Sequence, residues 1–459
     1  MKPIFCMGVA LSLWAGATGA AAGSADAPSN WGQWRGPLGS GVAPLADPPL
    51  EWSETNHVKW KTVIPGEGDC TPVVWGNKVF VLTAIPTGKK VEAKEAEAPP
   101  AGGPPPGGPG RNGPGPGGKP KAPTEVLQFT ALCCDRRTGK ILWQKVAREE
   151  VPHEGHHPDH GFASASPATD GEVVLAYFGS RGLYCYDLNG NLKWSKDLGK
   201  QTIRAGFGEG ATPALYQNTV VLCRDDETSD NYLVAFDKLT GKELWRTPRH
   251  QGTGWSTPLV TEAGGKPQVV VNGNQQVRGY DLATGKELWS CAGQSQNAIP
   301  SPVASSNTVF ATSGFRGNAL VAINPAATGD LTSSNGVRWS SPSKNTPYVP
   351  SPLLVDDLLY TITLNNAVLS CFDARTGTAY YEGQRLEGLP SGIYASPVAA
   401  KDRVYLLGRD GGCLVIKKGA QFEVLARNKV SDKGAASLAL AGSDLFLRTR
   451  QHLYCISGK

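Results

Sequence analysis

Residues 233–245 read LVAFDKLTGKELW and residues 277–289 read VRGYDLATGKELW. In both, an alternation of apolar and other positions ends in an Asp, a Thr-Gly step reverses the chain, and a short second run carries a Trp. This predicts a β-hairpin with a fixed turn. Looser copies recur along most of the chain. One hairpin cannot bury both faces of its branched and aromatic side chains, so the copies must pack on each other. The pattern predicts a repeat array that carries its function on its loops.

A Ser/Thr-Pro or Ser/Thr-Leu pair opens each unit: Thr71-Pro72, Ser166-Pro167, Thr212-Pro213, Thr257-Pro258, Ser301-Pro302, Ser351-Pro352, Ser396-Pro397 and Ser437-Leu438. From Pro167 the starts are spaced 46, 45, 44, 50 and 45 residues apart, and Leu438 follows after 41. Four strand-like runs per period of this length predict an all-β fold, an eight-bladed β-propeller of four-stranded antiparallel blades. In the fourth unit the strands A to D are expected near 257–261, 268–272, 276–281 and 287–291. The Trp position is filled by Trp143, Trp194, Trp245, Trp289 and Trp339, then by Tyr381, and is lost in the seventh unit. The eighth unit stops before its own fourth strand. Residues 57–63, HVKWKTV, carry that pattern, so the N-terminal segment is expected to complete the last blade and close the ring, leaving no open end to the array.

The repeated turn, Asp or Asn followed by Thr-Gly-Lys and then a Trp, resembles the tryptophan-docking repeat of the PQQ-type propellers. That superfamily includes quinoprotein alcohol dehydrogenases and the BamB-type outer-membrane assembly proteins. The resemblance covers roughly residues 58–457, and the opening WGQWRGP (residues 31–37) is similar to exported proteins of the same kind. It implies the propeller fold. It does not choose a function, because the motif lies on the turn that docks blades together. In its enzymatic branch the resemblance implies PQQ with calcium, held by carboxylate and amide side chains and often accompanied by a disulfide between adjacent cysteines. No ligand for either can be placed on this sequence. Cys133-Cys134 fall in a strand, where neighbours point to opposite faces and a bridge between them would break the strand.

Composition adds limits. With 40% hydrophobic and 19% charged residues the chain suits a globular protein, and 56 Gly and 35 Pro suit one made of turns. A formal charge of +5 is too mild to argue for nucleic acid. An apolar run after Lys2, followed by small residues, predicts a cleaved secretory signal over 1–27, hence a periplasmic or secreted protein with no lipoprotein motif and no transmembrane segment. Residues 28–56 are expected to form an irregular strap anchored by Trp31, Trp34 and Trp52, and 57–459 the propeller. Residues 87–124, rich in Pro and Gly, are expected to be a disordered insertion in the first blade. Cys133, Cys185, Cys371 and Cys455 occupy a position held elsewhere by Ala235, Gly279 and Ala322. The cysteines therefore read as small packing residues rather than a disulfide framework.

In a propeller the D–A and B–C loops share one face around the central channel, and candidate chemistry is sought there. Residues 153–160 hold four of the seven histidines. His153, His156, His157 and His160 with neighbouring carboxylates are a donor set for a transition metal. The match to H-E-x-x-H through His153, Glu154 and His157 is a false one, since Gly155 and the flanking prolines forbid the helix that motif needs. Arg181, Arg316, Arg409 and Arg450 are expected to ring the channel mouth, where guanidinium groups suit a carboxylated or phosphorylated ligand. The competing reading pairs them with loop acids such as Asp225, Asp226 and Asp410. Arg204, Glu209, Trp255, Asn297, Tyr348 and Tyr394 add a mixture suited to a sugar or a planar cofactor.

Three functions fit. The first is a monomeric ligand-binding or protein-assembly module of the cell envelope, its partner an envelope protein, an anionic polysaccharide or a small molecule. The second is a PQQ-dependent alcohol or sugar dehydrogenase. The third is a metal-dependent enzyme that acts on anionic polysaccharide through the histidine loop.

Overall fold

The computed structural model describes residues 27–91, 119–228 and 230–458. The expected secretory signal, apart from Ala27, lies outside them, as does most of the expected insertion. The described residues form eight sheets, each with four antiparallel strands A to D that neighbour one another in that order. In the fourth blade the strands are Leu259–Ala263, Lys266–Asn272, Gln276–Asp281 and Glu287–Ala292. Strand A begins two residues later than expected, because Thr257 and Pro258 are drawn into the channel wall. A short strand, Gly329–Asp330, adds in parallel to the outer edge of this blade alone. The last blade is Ala439–Ala441, Asp444–Arg448 and His452–Ser457, completed by Val58–Val63 paired antiparallel to its third strand. The ring is closed by its N-terminal strand, as the pattern required. In the first blade the second strand runs from Lys78 to Lys90, so residues 87–90 extend the sheet instead of joining the insertion.

The turn motif works through three linked contacts. In the third blade the Asp237 carboxylate accepts from the Thr240 amide at 2.8 Å and the Thr240 hydroxyl at 2.7 Å, which fixes the reversal. Gly241 follows with φ +68°, a conformation that a side chain would strain. It also leaves room for the indole of the preceding blade, because a Cβ there would meet the Trp194 ring at 2.6 Å. The Trp194 Nε1–H then donates to the Lys238 carbonyl at 2.8 Å. Trp60, Trp143, Trp245 and Trp339 repeat the bond to the next blade at 2.9, 3.1, 2.8 and 3.0 Å.

The same geometry explains the cysteines. Trp143, Trp194 and Trp60 stand directly across their hairpins from Cys133, Cys185 and Cys455. Trp245, Trp289 and Trp339 face Ala235, Gly279 and Ala322. A small residue is needed opposite a large indole, and Cys serves as one. All nine described cysteines are buried and unpaired, Cys133 and Cys134 included. Burial pushes the Cys70 thiol up to about 11 and the Cys133 and Cys134 thiols to about 12, so they stay protonated and inert.

Candidate functional site

The Ser or Thr that opens each unit has a structural purpose. The Thr71 amide donates to the Ser166 hydroxyl at 3.0 Å, Ser166 to Thr212 at 3.0 Å, Thr212 to Thr257 at 3.1 Å and Thr257 to Ser301 at 2.8 Å. Ser301, Ser351 and Ser396 each donate to the next hydroxyl at 2.9 Å, and Ser437 returns to Thr71 at 3.2 Å. Eight hydrogen bonds thus close a ring around the channel, each pairing an inner-strand amide that has no partner within its own sheet.

Above this ring is a cavity of 420 Å³. In extended chain, positions i and i+2 face the same way. The residues two before each hydroxyl therefore face the channel too, and all eight line the cavity: Asp69, Ser164, Gly210 and Trp255 in the first four blades, then Ile299, Val349, Tyr394 and Ala435. Phe207, Phe315 and Tyr348 add aromatic wall, with the Tyr348 and Phe315 rings stacked at 5.0 Å.

One end of the cavity is floored by the strap. Trp31 pairs with Val74, the Gly32 carbonyl accepts from the Thr169 amide, the Gln33 side chain from Leu215, and residues 40–47 hydrogen-bond to Leu354, Ala399 and Gly442. The strap thereby crosses the inner strands of successive blades and sets Trp34 into the channel. Trp31 and Trp52 are buried anchors as expected, whereas Trp34 is floor. Arg35 locks the strap through the carbonyls of Pro397, Ser40 and Pro352 at 3.0, 3.3 and 2.8 Å. Burial draws its guanidinium down to about 9.

The histidine loop lies over the other end. Asp159 pairs with Arg409 and accepts from the Tyr394 hydroxyl at 3.0 Å, while Arg450 donates to the Pro158 carbonyl at 2.8 Å. The loop between the first and second blades is thus tied to the seventh and eighth. Its histidines do not converge on a common point. His153 Nε2 lies 2.7 Å from the Gln201 carbonyl, His156 Nδ1 is 2.8 Å from the His157 carbonyl, and His160 Nδ1 accepts from the Gly161 amide at 2.9 Å. His157 and His160 line the cavity. Burial pulls the His160 imidazole down to about 4. Among the described residues no group of three His, Cys, Asp or Glu side chains is placed to hold a metal ion.

The expected arginine ring is largely neutralised, though by other acids than Asp225, Asp226 and Asp410. Arg181 is buried, with Glu150 at 3.3 Å and Glu209 at 3.1 Å. Glu209 is therefore committed to Arg181 and to the Ser180 hydroxyl at 2.6 Å. Arg204 pairs with Glu227 at 3.0 Å and with the Asn297 side chain at 3.1 Å, outside the cavity. Arg316 lies against the Phe315 ring. Asp225 instead holds the buried Arg249 at 2.8 Å, and Asp410 pairs with Lys429. Of the sequence candidates, the structure brings Trp255, Tyr348, Tyr394, His157 and His160 together around the cavity. It adds Asp69, Phe207, Phe315 and Asp159. Asp69 was signalled by its place two residues before Thr71, and burial raises its carboxyl above the usual range.

The family model described as outer membrane protein assembly factor BamB matches residues 129–381. The chain belongs to this family. Among solved structures it is similar to the quinohemoprotein alcohol dehydrogenase ADHIIG from Pseudomonas putida HK5, at 12% identity and TM-score 0.54 over 94% of this chain and 81% of that one. A europium-containing methanol dehydrogenase gives 11% and 0.52 over 93% and 89%. BamB from Moraxella catarrhalis gives 14% and 0.49 over 72% and 93%. At these identities the dehydrogenases show a shared fold alone. A search of the curated proteins finds no match. Among the described residues no helix is long and apolar enough to cross a membrane.

For PQQ with a divalent cation the residues of this cavity do not fit. Asp159 is committed to Arg409, which leaves Asp69 as the other carboxylate lining the space, and among the described residues no group of three acidic, His or Cys side chains is placed there to complete a calcium site.

Proposed function

We propose that this protein is a ligand-binding module of the cell envelope that holds a small, planar, ring-bearing ligand in its central cavity. The observation that supports the reading is the construction of that cavity. It is floored by Trp34, covered by the loop that Asp159 ties to Arg409, and walled by Trp255, Phe207, Tyr348 and Phe315. Its 420 Å³ is in the range of small-ligand sites, and apolar walls with few polar groups are what such sites present. The envelope assignment draws on the leader read from the sequence and on the family. The assembly half of the earlier expectation rests on the family description alone.

The test uses anilinonaphthalene sulfonate as a planar probe of the mature full-length chain. Saturable uptake at one site per chain, with quenching of tryptophan fluorescence, is the expected result, and Trp255→Ala should abolish it while the protein stays folded. Uptake that is absent, or unchanged in the variant, would refute the reading.

A further inference from the structure

On the same face, but apart from the central cavity, loops of blades three to five border a second, open hollow of 280 Å³. Its wall is made of side-chain amides and cations: Gln251, Asn274, Gln275, Gln276 and Gln296, with Arg204, Arg278 and His250. None of its lining residues is aliphatic or aromatic apart from the imidazole of His250. We infer that this hollow is a binding site for a neutral oligosaccharide.

Three observations carry the inference. First, the charges are already balanced. Arg204 pairs with Glu227 at 3.0 Å and Arg278 faces Glu287 at 3.5 Å, so the site does not call for an anion. What it offers beyond these pairs is a row of amides that present donors and acceptors side by side, the Asn274 oxygen alone being taken up by the Asn297 amide at 2.7 Å and the Gln251 oxygen turned inward. That arrangement matches the vicinal hydroxyls of a sugar, which also donate and accept. The Gln251 carbonyl oxygen is shut off from solvent, so it is the amides of Gln275 and Gln296, exposed and without side-chain hydrogen bonds among the described residues, that stand open to an incoming hydroxyl.

Second, the wall is built at some conformational cost. His250 and Gln275, which line the hollow, hold φ of +42° and +65°, a region that most non-glycine residues avoid, and Asn297, next to Gln296, holds +54°. Gly252 lies close under this wall: a Cβ there would lie 2.8 Å from the Asn274 amide nitrogen and 3.0 Å from Arg204 Nη2, and would push those side-chain ends aside. Third, an extended peptide would need recesses for its alternate side chains, and this wall has no apolar recess to take them. Asn297 lies between the two sites: it accepts from Arg204 at 3.1 Å, and its side chain is close to the Tyr348 hydroxyl of the cavity wall.

The test titrates the full-length protein with chitotriose and cellotriose by calorimetry. Binding of either sugar is expected, weakened about tenfold by Gln275→Ala and by Gln296→Ala, each of which removes hydrogen bonds to the ligand. Gly252→Ala should weaken it similarly by displacing Asn274 and Arg204, while Trp255→Ala leaves it unchanged. The uptake of anilinonaphthalene sulfonate should survive in all three hollow variants, so failure here is distinguishable from failure of the central-cavity reading. The inference is overturned if neither sugar binds, if binding persists undiminished in the Gln275 and Gln296 variants, or if hexaalanine or trigalacturonate binds in place of the neutral sugars.

Discussion

The two faces of the propeller are built by opposite rules. On the turn face one device recurs: an Asp-tied Thr-Gly turn with an indole from the preceding blade seated on its glycine. Left-handed non-glycine residues on that face, such as Gln217, Asp356 and Lys401, sit in tight A–B hairpins, where strand twist favours them. On the mouth face Ala205, His250, Gln275, Asn297, Arg316 and Ala367 take the same conformation in loops of no common shape. The turn face repeats because docking is the same problem at each junction, and five of the eight solve it this way, through Trp60, Trp143, Trp194, Trp245 and Trp339. The mouth face does not repeat, and two hollows of different character open there. Periodicity therefore reports on stability, and departures from it report on recognition.

The largest effect should come from the turn face. Trp194 is 9% exposed, and its removal leaves a cavity between the second and third blades. Trp194→Ala should lower stability by about 3–5 kcal/mol, read from the midpoint of guanidinium unfolding. Trp34 is the same residue type, but its ring faces open space in the channel. Trp34→Ala should cost under about 1 kcal/mol. Equal costs for the two would remove the distinction between docking and lining residues.

The same contrast decides what could be read from the sequence. The blades, their order and the closing strand followed from the Thr-Gly and Ser/Thr-Pro periods, since each period is the imprint of a repeated contact. The upper ring of the cavity was also within reach. Carrying the alternation two residues back from Thr71, Thr257 and Ser396 gives Asp69, Trp255 and Tyr394; the two aromatics stood out by residue type, and Asp69 did not. The pairs Asp159 with Arg409 and Arg181 with Glu209 left no such imprint. They are 250 and 28 residues apart in loops that occur once, and nothing local ties one partner to the other. The arginines were recognisable as a group, but which acids would neutralise them was not.

Glu209 sharpens the comparison, because it is a mouth-face residue with a structural task. Its carboxylate holds Ser180 and the guanidinium of Arg181, which is 3% exposed. Glu209→Ala leaves that buried charge to Glu150 alone and should cost about 2 kcal/mol, with the uptake of anilinonaphthalene sulfonate unchanged. A loss of uptake without a loss of stability would place Glu209 in the site itself.

The smallest effect separates the faces by pH. His160 on the mouth face has its imidazole drawn from the usual 6.5 to about 4, chiefly by burial and further by His156 and His157. Between those values the unfolded chain takes up a proton that the folded one refuses. Stability should therefore fall as pH drops from 6.5 to about 4 and level off at either end, by about 1 kcal/mol once solvent at the ring edge is allowed for. The turn aspartates Asp135, Asp187 and Asp237 are held below the usual 3.8, the first and last chiefly by a Thr hydroxyl and Asp187 by Asn191. Their contribution is present above 3.8 and is lost only as pH falls through their lower folded values. Unfolding midpoints across this range should show His160→Gln flattening the upper limb and Asp237→Asn the lower one. A His160→Gln profile that still declines between 6.5 and 4 would mean that another group on the mouth face carries the titration.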